Sequence, residues 1–168
     1  TTLLRCPVGK QGTYTIPSNV TSIAYGAFSG CDNLISVTIP ENISSVANNA
    51  FDGVLNIIYS GSLGGSPWGA RSVNGYMEGN LVYSDETKTN LLACSKAIKG
   101  ELEIPNSVTS IGGGAFSGCH NLTSVTIPNG VTSIGEGTFF GCTGLKSVTI
   151  PNSVTKIGYG AFDGCSSL

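Results

Sequence analysis

Charge is what this sequence has least of. Charged residues make up 11% of the 168 positions, 8 Lys+Arg against 10 Asp+Glu, for a formal net charge of -2; the usual share is about 25%. Cations this few and scattered exclude a phosphate-backbone binder, and so a nucleic-acid partner. No apolar run approaches the roughly 18 residues of a membrane-spanning helix. No stretch carries the apolar stripe of an ordinary amphipathic helix. A single His and a single Trp leave little material for general-base chemistry or aromatic stacking. The hydrophobic share of 40% is too high for a disordered chain.

What is abundant is small and turn-forming: 24 Gly, and 37 Ser and Thr together. These residues recur on a fixed beat. Ile-Pro stands at Ile16-Pro17, Ile39-Pro40, Ile104-Pro105, Ile127-Pro128 and Ile150-Pro151. The first two are 23 residues apart, as are the last three in turn. Phe28, Phe51, Phe116, Phe139 and Phe162 keep the same beat. A period between about 20 and 50 residues signals a solenoid, whose units bury their apolar sides only by stacking. A longer period overlies the first. Residues 2–53 align with 90–141 without a gap at an offset of 88, with 26 of 52 positions identical.

One unit shows the local logic. In Leu122-Thr-Ser-Val125-Thr-Ile127-Pro128 the alternation suits a short strand with Val125 and Ile127 inward and Thr126 outward. Pro128 lacks an amide donor and belongs where the strand ends. Val131 and Ile134 anchor a second extended piece. Gly135 and Gly137 permit a tight corner. Phe139-Phe140-Gly141-Cys142 then offers a short helical turn, with Phe139 plugging the core.

The pattern Leu-x-x-Val-x-Ile-Pro-x-x-Val-x-x-Ile-Gly-x-x-Ala-Phe-x-x-Cys at 23-residue spacing resembles the BspA-like (treponemal-type) leucine-rich repeat family. The resemblance is strong over Ile16–Phe51 and Ile104–Leu168. It implies a right-handed leucine-rich-repeat solenoid, β-rich with short helical turns, its parallel sheet on the concave face. It also implies a secreted or cell-surface bacterial protein, with a host or neighbouring-cell protein or glycan as partner in adhesion. Two departures stand out. Val54 replaces the corner Cys, and Leu55–Ser60 lacks Ile-Pro, so its register is ambiguous.

A single solenoid domain over 1–168 is expected, with repeats at 1–53 and 104–168 and an irregular unit at 54–103. Within that unit Gly61–Gly69 reads as a loop. Tyr76–Tyr83 and Thr89–Cys94, around the polar Ser84–Lys88, read as an inserted β-hairpin. By the 88-residue offset, Leu3–Cys6 is the second strand of an equivalent hairpin. Neither end resembles a polar capping repeat. The chain is therefore expected to be a piece of a longer array; the alternative is end-to-end self-association of exposed edges.

The six cysteines admit three readings: a buried ladder, disulfides or a metal site. Cys119, Cys142 and Cys165 are 23 apart, with Cys31 in the same slot. That spacing stacks thiols along the axis instead of converging them on one ion, which favours the ladder. No metal or cofactor is expected. His120 shares its slot with Asp32, Thr143 and Ser166, and so reads as exposed and non-catalytic. Glu101 and Glu103 lie on one side of a strand and read as a solvated face; a hydrolase would need them across a cleft. Asn19, Asn42 and Asn121 begin Asn-x-Ser/Thr sequons. The expected function is non-enzymatic binding, with a spacer or self-assembly module as the alternative. The candidate binding surface is an outward hydroxyl ladder of Ser36, Thr38, Ser124, Thr126, Ser147 and Thr149. Hot-spot candidates in the insertion are Tyr59, Trp68, Arg71, Tyr76 and Tyr83, residue types that dominate interface energies; the other reading of Trp68 is that it packs the insertion onto the coil.

Overall fold

The computed structural model describes residues 1–7, 9–65 and 67–168. The chain divides into two compact units, Thr1–Gly75 and Tyr76–Leu168. The first holds β1 (Thr2–Leu3), β2 (Gly12–Thr15), β3 (Ser22–Ile23), β4 (Leu34–Thr38), β5 (Ser45–Val46), β6 (Asn56–Ile58) and β7 (Ser72–Val73). The second holds β8 (Tyr76–Glu78), β9 (Leu81–Tyr83), β10 (Asn90–Cys94), β11 (Gly100–Glu103), β12 (Ser110–Ile111), β13 (Leu122–Thr126), β14 (Ser133–Ile134), β15 (Ser147–Thr149) and β16 (Lys156–Ile157).

Each unit is a parallel β-solenoid. In the first, β1-β3-β5 and β2-β4-β6-β7 form two parallel ladders. In the second, β11-β13-β15 and β14-β16 do the same. Register follows the repeat: Val125 pairs with Val148, and Ile134 with Ile157. In four of the five Ile-Pro pairs the Ile donates its amide to the next coil, Ile104 to Thr126 O at 3.0 Å and Ile127 to Thr149 O at 3.0 Å among them. The proline then starts a turn, its carbonyl accepting from Val131 N at 3.1 Å in the case of Pro128. Its missing donor is harmless there.

The Phe slot repeats the same device. Phe116 N donates to Thr138 O at 2.9 Å and Phe139 N to Ala161 O at 2.8 Å. With backbones locked at strand spacing, the rings must stack. Phe116 and Phe139 lie 5.0 Å apart, Phe139 and Phe162 5.3 Å, and Phe28 and Phe51 4.8 Å. The corner expected as a short helical turn is a chain of i to i+3 turns, with Cys119 N on Phe116 O at 3.0 Å and Leu122 N on Cys119 O at 3.2 Å. No helix occurs among the described residues. Gly141 stands at the end of this corner with φ +70, a conformation that strains any residue with a Cβ.

The irregular stretch differs from expectation in two ways. The hairpin over β9 and β10 is present, with Tyr83 opposite Leu91. The run before it, however, folds back on itself. Glu78 pairs with Leu81, leaving Gly79-Asn80 as a two-residue turn, and Gly79 takes φ +57. Positive φ at the first central residue is the hairpin geometry such a turn needs. The result is an antiparallel meander of β8, β9 and β10, joined in parallel to β12. The second difference is β7. Ser36 pairs with Asn56 and Asn56 with Ser72, steps of 20 and 16 residues. The region read as a loop is thus the far side of a shortened coil; Ser66, within it, lies outside the described residues. The coil closes compactly because Tyr59 lies over Gly61, where a Cβ would overlap the ring.

Phe139, Leu122, Val125 and Val131 are fully buried, whereas Thr126 is exposed. Phe139→Ala should therefore cost about 3–5 kcal/mol, and Thr126→Ala less than about 0.5 kcal/mol. Urea unfolding followed by circular dichroism checks the difference; equal costs would contradict the inside/outside assignment.

Candidate functional site

The outward face of β11-β13-β15 is built by strand alternation. Glu101, Ser124 and Ser147 form one row across the sheet, and Glu103, Thr126 and Thr149 the next. All are exposed except the half-buried Ser124. Ser147 Oγ donates to Ser124 Oγ at 3.0 Å. The face therefore presents two carboxylates at one edge and four hydroxyls beside them. It can accept and donate hydrogen bonds along both rows. His120 is exposed elsewhere, its Nδ1 3.3 Å from Thr143 Oγ1 in the same corner one coil on. Among the described residues no group of three His, Cys, Asp or Glu could hold a metal ion.

In the first unit the matching face is different. Thr13 and Thr15 are exposed and Thr38 half-buried, but Ser36 is only 3% exposed and its Oγ has no hydrogen-bond partner. Its expected place on an open ladder is corrected. The short Ser36 side chain shares a row with Asn56 and Ser72, both also buried. Asn56 Oδ1 accepts from Ser72 Oγ at 2.7 Å and Gly75 N at 3.2 Å, and its Nδ2 donates to Gly75 O at 3.3 Å. The chain leaving β7 is thereby tied across this row, which becomes interior.

Three of the five insertion candidates are also interior, Trp68 in agreement with its packing reading, Tyr59 and Tyr83 against their place on a binding surface. Tyr59 and Trp68 are 6% and 5% exposed and meet edge-to-face at 5.4 Å. They belong to the same core cluster as Phe28 and Phe51, and Phe51 N donates to Trp68 O at 3.0 Å. The shortened coil has no Phe for the ring ladder, and these two aromatics fill that volume. Tyr83 is fully buried in the meander, and burial, then the Glu78 charge, pushes its phenol up to about 12. Arg71 is half-buried, with its amide on Val54 O at 3.1 Å. Tyr76 is half-buried beneath Lys88, whose Nζ lies 5.7 Å from the ring centre and 2.6 Å from Glu78 Oε1.

The exposed aromatics are ones the sequence reading passed over. Tyr25 is 72% and Tyr159 85% exposed, and both hold the slot three residues before a ladder Phe. Asn48, Gly113 and Glu136 hold it elsewhere. A slot this variable faces outward, and a Tyr there is an aromatic on open surface; that was the available signal. Tyr159 borders a cavity of about 310 Å³ with Ser133, Glu136 and Lys156 around it. This is the small end of the range for ligand pockets, about 300–1,000 Å³.

The cysteines form the buried ladder. Cys31, Cys119 and Cys142 are buried and Cys165 half-buried, all as thiols. Cys142 Sγ donates to Phe116 O at 3.0 Å and Cys165 Sγ to Phe139 O at 3.1 Å. Burial, reinforced by the neighbouring Cys119, pushes Cys142 up from 9.0 to about 12. Burial and then Cys31 push Cys6 to about 11.

The family described as "BspA type Leucine rich repeat region" matches residues 10–60 and 90–168 in six copies. None of the curated protein sequences matches the chain. Among solved structures, a leucine-rich repeat protein from Eubacterium ventriosum is similar at TM-score 0.58 and 25% identity, covering 94% of this chain and 40% of its own. The T. pallidum leucine-rich repeat protein is similar at 0.47 and 26%, covering 95% and 79%. A leucine-rich cell surface protein from Faecalibacterium prausnitzii follows at 0.39 and 25%, covering 94% and 58%. The chain thus spans well under half the length of the Eubacterium protein.

The thiol ladder makes a testable statement about alkaline pH. An unfolded chain ionises its thiols first. Between 9.0 and about 12 it sheds a proton that folded Cys142 keeps, so this contribution to stability is intact below 9.0 and lost as pH rises. Native protein should leave Ellman's reagent almost unreacted where urea-unfolded protein titrates at once. Denaturation midpoints should fall steadily above pH 9.0. Prompt reaction of buried thiols in the native state would contradict the ladder.

Proposed function

Because this chain belongs to the BspA-type leucine-rich repeat family, whose repeat it carries in six copies, we propose that it is a non-catalytic recognition module of a secreted or cell-surface bacterial protein, binding a protein or glycan of a host or neighbouring cell. The observation that carries this reading is the face of β11-β13-β15. Its Glu101, Glu103, Thr126, Ser147 and Thr149 are exposed, on a rigid sheet whose other face is the core. A flat array of hydroxyls and carboxylates on a preorganised scaffold suits an extended, polar ligand, since little ordering is lost on binding. Tyr159 and its cavity add an aromatic surface with Glu136 and Lys156 at its border, the mixture of ring face and hydrogen-bonding groups that a saccharide uses.

A second reading is self-assembly, which the exposed apolar side chain of Ile157 on β16 would serve.

Arrays of glycans and extracellular-matrix proteins, probed with the parent chain, a Thr126→Lys/Thr149→Lys double variant and Tyr159→Ala, test the proposal. Thr126, Thr149 and Tyr159 are exposed, so folding should survive. Binding by the parent that falls roughly tenfold or more in the double variant, the loss expected at an interface hot spot, supports recognition through the sheet. Parent-like binding by all variants would overturn it. Sedimentation without ligand tests the second reading; association that increases with concentration and ceases in Ile157→Glu would support it.

A further inference from the structure

The sequence holds two Asn-Gly pairs, Asn74-Gly75 and Asn129-Gly130, and the fold treats them in opposite ways. Asparagine is among the chemically labile residues, and a following glycine leaves the next backbone amide unhindered. At Asn74 every reacting group is occupied. Its Nδ2 donates to Tyr59 O at 2.8 Å and its Oδ1 accepts from Tyr59 N at 2.9 Å. The Gly75 amide, the group that would attack, donates to Asn56 Oδ1 at 3.2 Å. Asn129 has none of these restraints. It is exposed, and neither its carboxamide nor the Gly130 amide has a hydrogen-bond partner among the described residues.

The contrast extends to the corner itself. In three other coils the second residue after the Pro ties the corner to the coil before it. Asn42 Nδ2 donates to Val20 O at 3.1 Å, Ser107 Oγ to Lys88 O at 3.3 Å, and Ser153 Oγ to Val131 O at 2.7 Å. Gly130 holds that slot with no side chain. Its backbone packs instead against Val108 O, 3.0 Å from where a Cβ would stand. The corner at 128–131 keeps its turn, Val131 N on Pro128 O at 3.1 Å, but lacks the side-chain tie.

We infer that Asn129 is a site of spontaneous covalent modification, forming a succinimide and then aspartate and isoaspartate, while Asn74 is protected. The Gly130 nitrogen gives its proton to solvent base and bonds to Asn129 Cγ. The Cγ–Nδ2 bond breaks and ammonia leaves. Water then opens either C–N bond of the ring. The net change is loss of ammonia and gain of water, with no electron transferred. Both products place a new carboxylate on an exposed corner. Isoaspartate also routes the main chain through Cβ, lengthening a turn that one hydrogen bond closes.

The test is peptide mapping by mass spectrometry after warm, mildly alkaline incubation of the folded chain, with isoaspartate detected by enzymatic methylation. Asn129 should convert roughly tenfold or more faster than Asn74, since Asn74 must first break several hydrogen bonds in a local opening. In urea the two rates should converge. Asn129→Ser, which copies Ser18 in the equivalent slot, should fold normally and abolish the slow acidic charge variant. Conversion of both sites at equal rates in the folded chain, conversion of Asn74 first, or no conversion of Asn129 would each overturn the inference.

Discussion

The hydrogen bonds that run from one coil to the next are the constraint from which the remaining structure follows. Each is an ordinary backbone pair, such as Ile127 N to Thr149 O or Phe139 N to Ala161 O. Because they recur at fixed slots, they hold successive backbones at strand spacing. Once that spacing is fixed, a residue's neighbours in space are its counterparts one period away. A side chain that is inward once must be inward every time, or a buried hole opens in the stack. This explains why few residue types recur: the inward slots have room for one Val, one Ile, one Phe and one Cys, and the corner turn before the Cys needs a Gly.

The same constraint explains the exceptions. The left-handed position filled by Gly26, Gly114, Gly137 and Gly160 is taken by Asn49 at φ 56, the substitution that costs least there. Val54 replaces a cysteine because the slot asks only for a small apolar group. Where the period itself shortens, the compensation is larger. The coil after Phe51 has too few residues to bring a Phe into the ring ladder, so Tyr59 and Trp68 close the space together. The polar row of Asn56 and Ser72 is satisfied by folding Asn74-Gly75 back across it, since a buried amide left unpaired is costly.

Period 23 made the regular coils legible residue by residue. Val125, Ile127, Leu122 and Phe139 are inward, Thr126 is outward, and the thiols stack. The less legible parts were those where spacing ceased to carry information. Ser72-Val73 follows no Ile-Pro and arrives 16 residues after its partner, so alternation over two residues could not reveal a strand. Gly79-Asn80 was a recognisable turn, but it lay inside a run whose apolar residues suggested one continuous strand. Tyr59 was offered as a hot spot because composition marked a loop beside it; its burial with Trp68 depends on a vacancy in the ring ladder that only the shortened coil creates. Tyr25 and Tyr159 were passed over. Their slot varies freely, and that freedom is the mark of an outward position.

The two units therefore carry the same repeat with different surfaces. In the first, the row that could have met a ligand is spent on holding Asn56 and Ser72 inside the fold, and Ser36 goes with it. In the second, the Ser147 hydroxyl donates to that of Ser124, and Thr126 and Thr149 remain turned to solvent. A repeat scaffold gains stability from its inward slots alone, so its outward slots can vary without cost to the fold. Where an outward row becomes buried, variation there is no longer free: replacing Asn56 would strand the groups it now satisfies. The outward rows of β11, β13 and β15 carry no such burden.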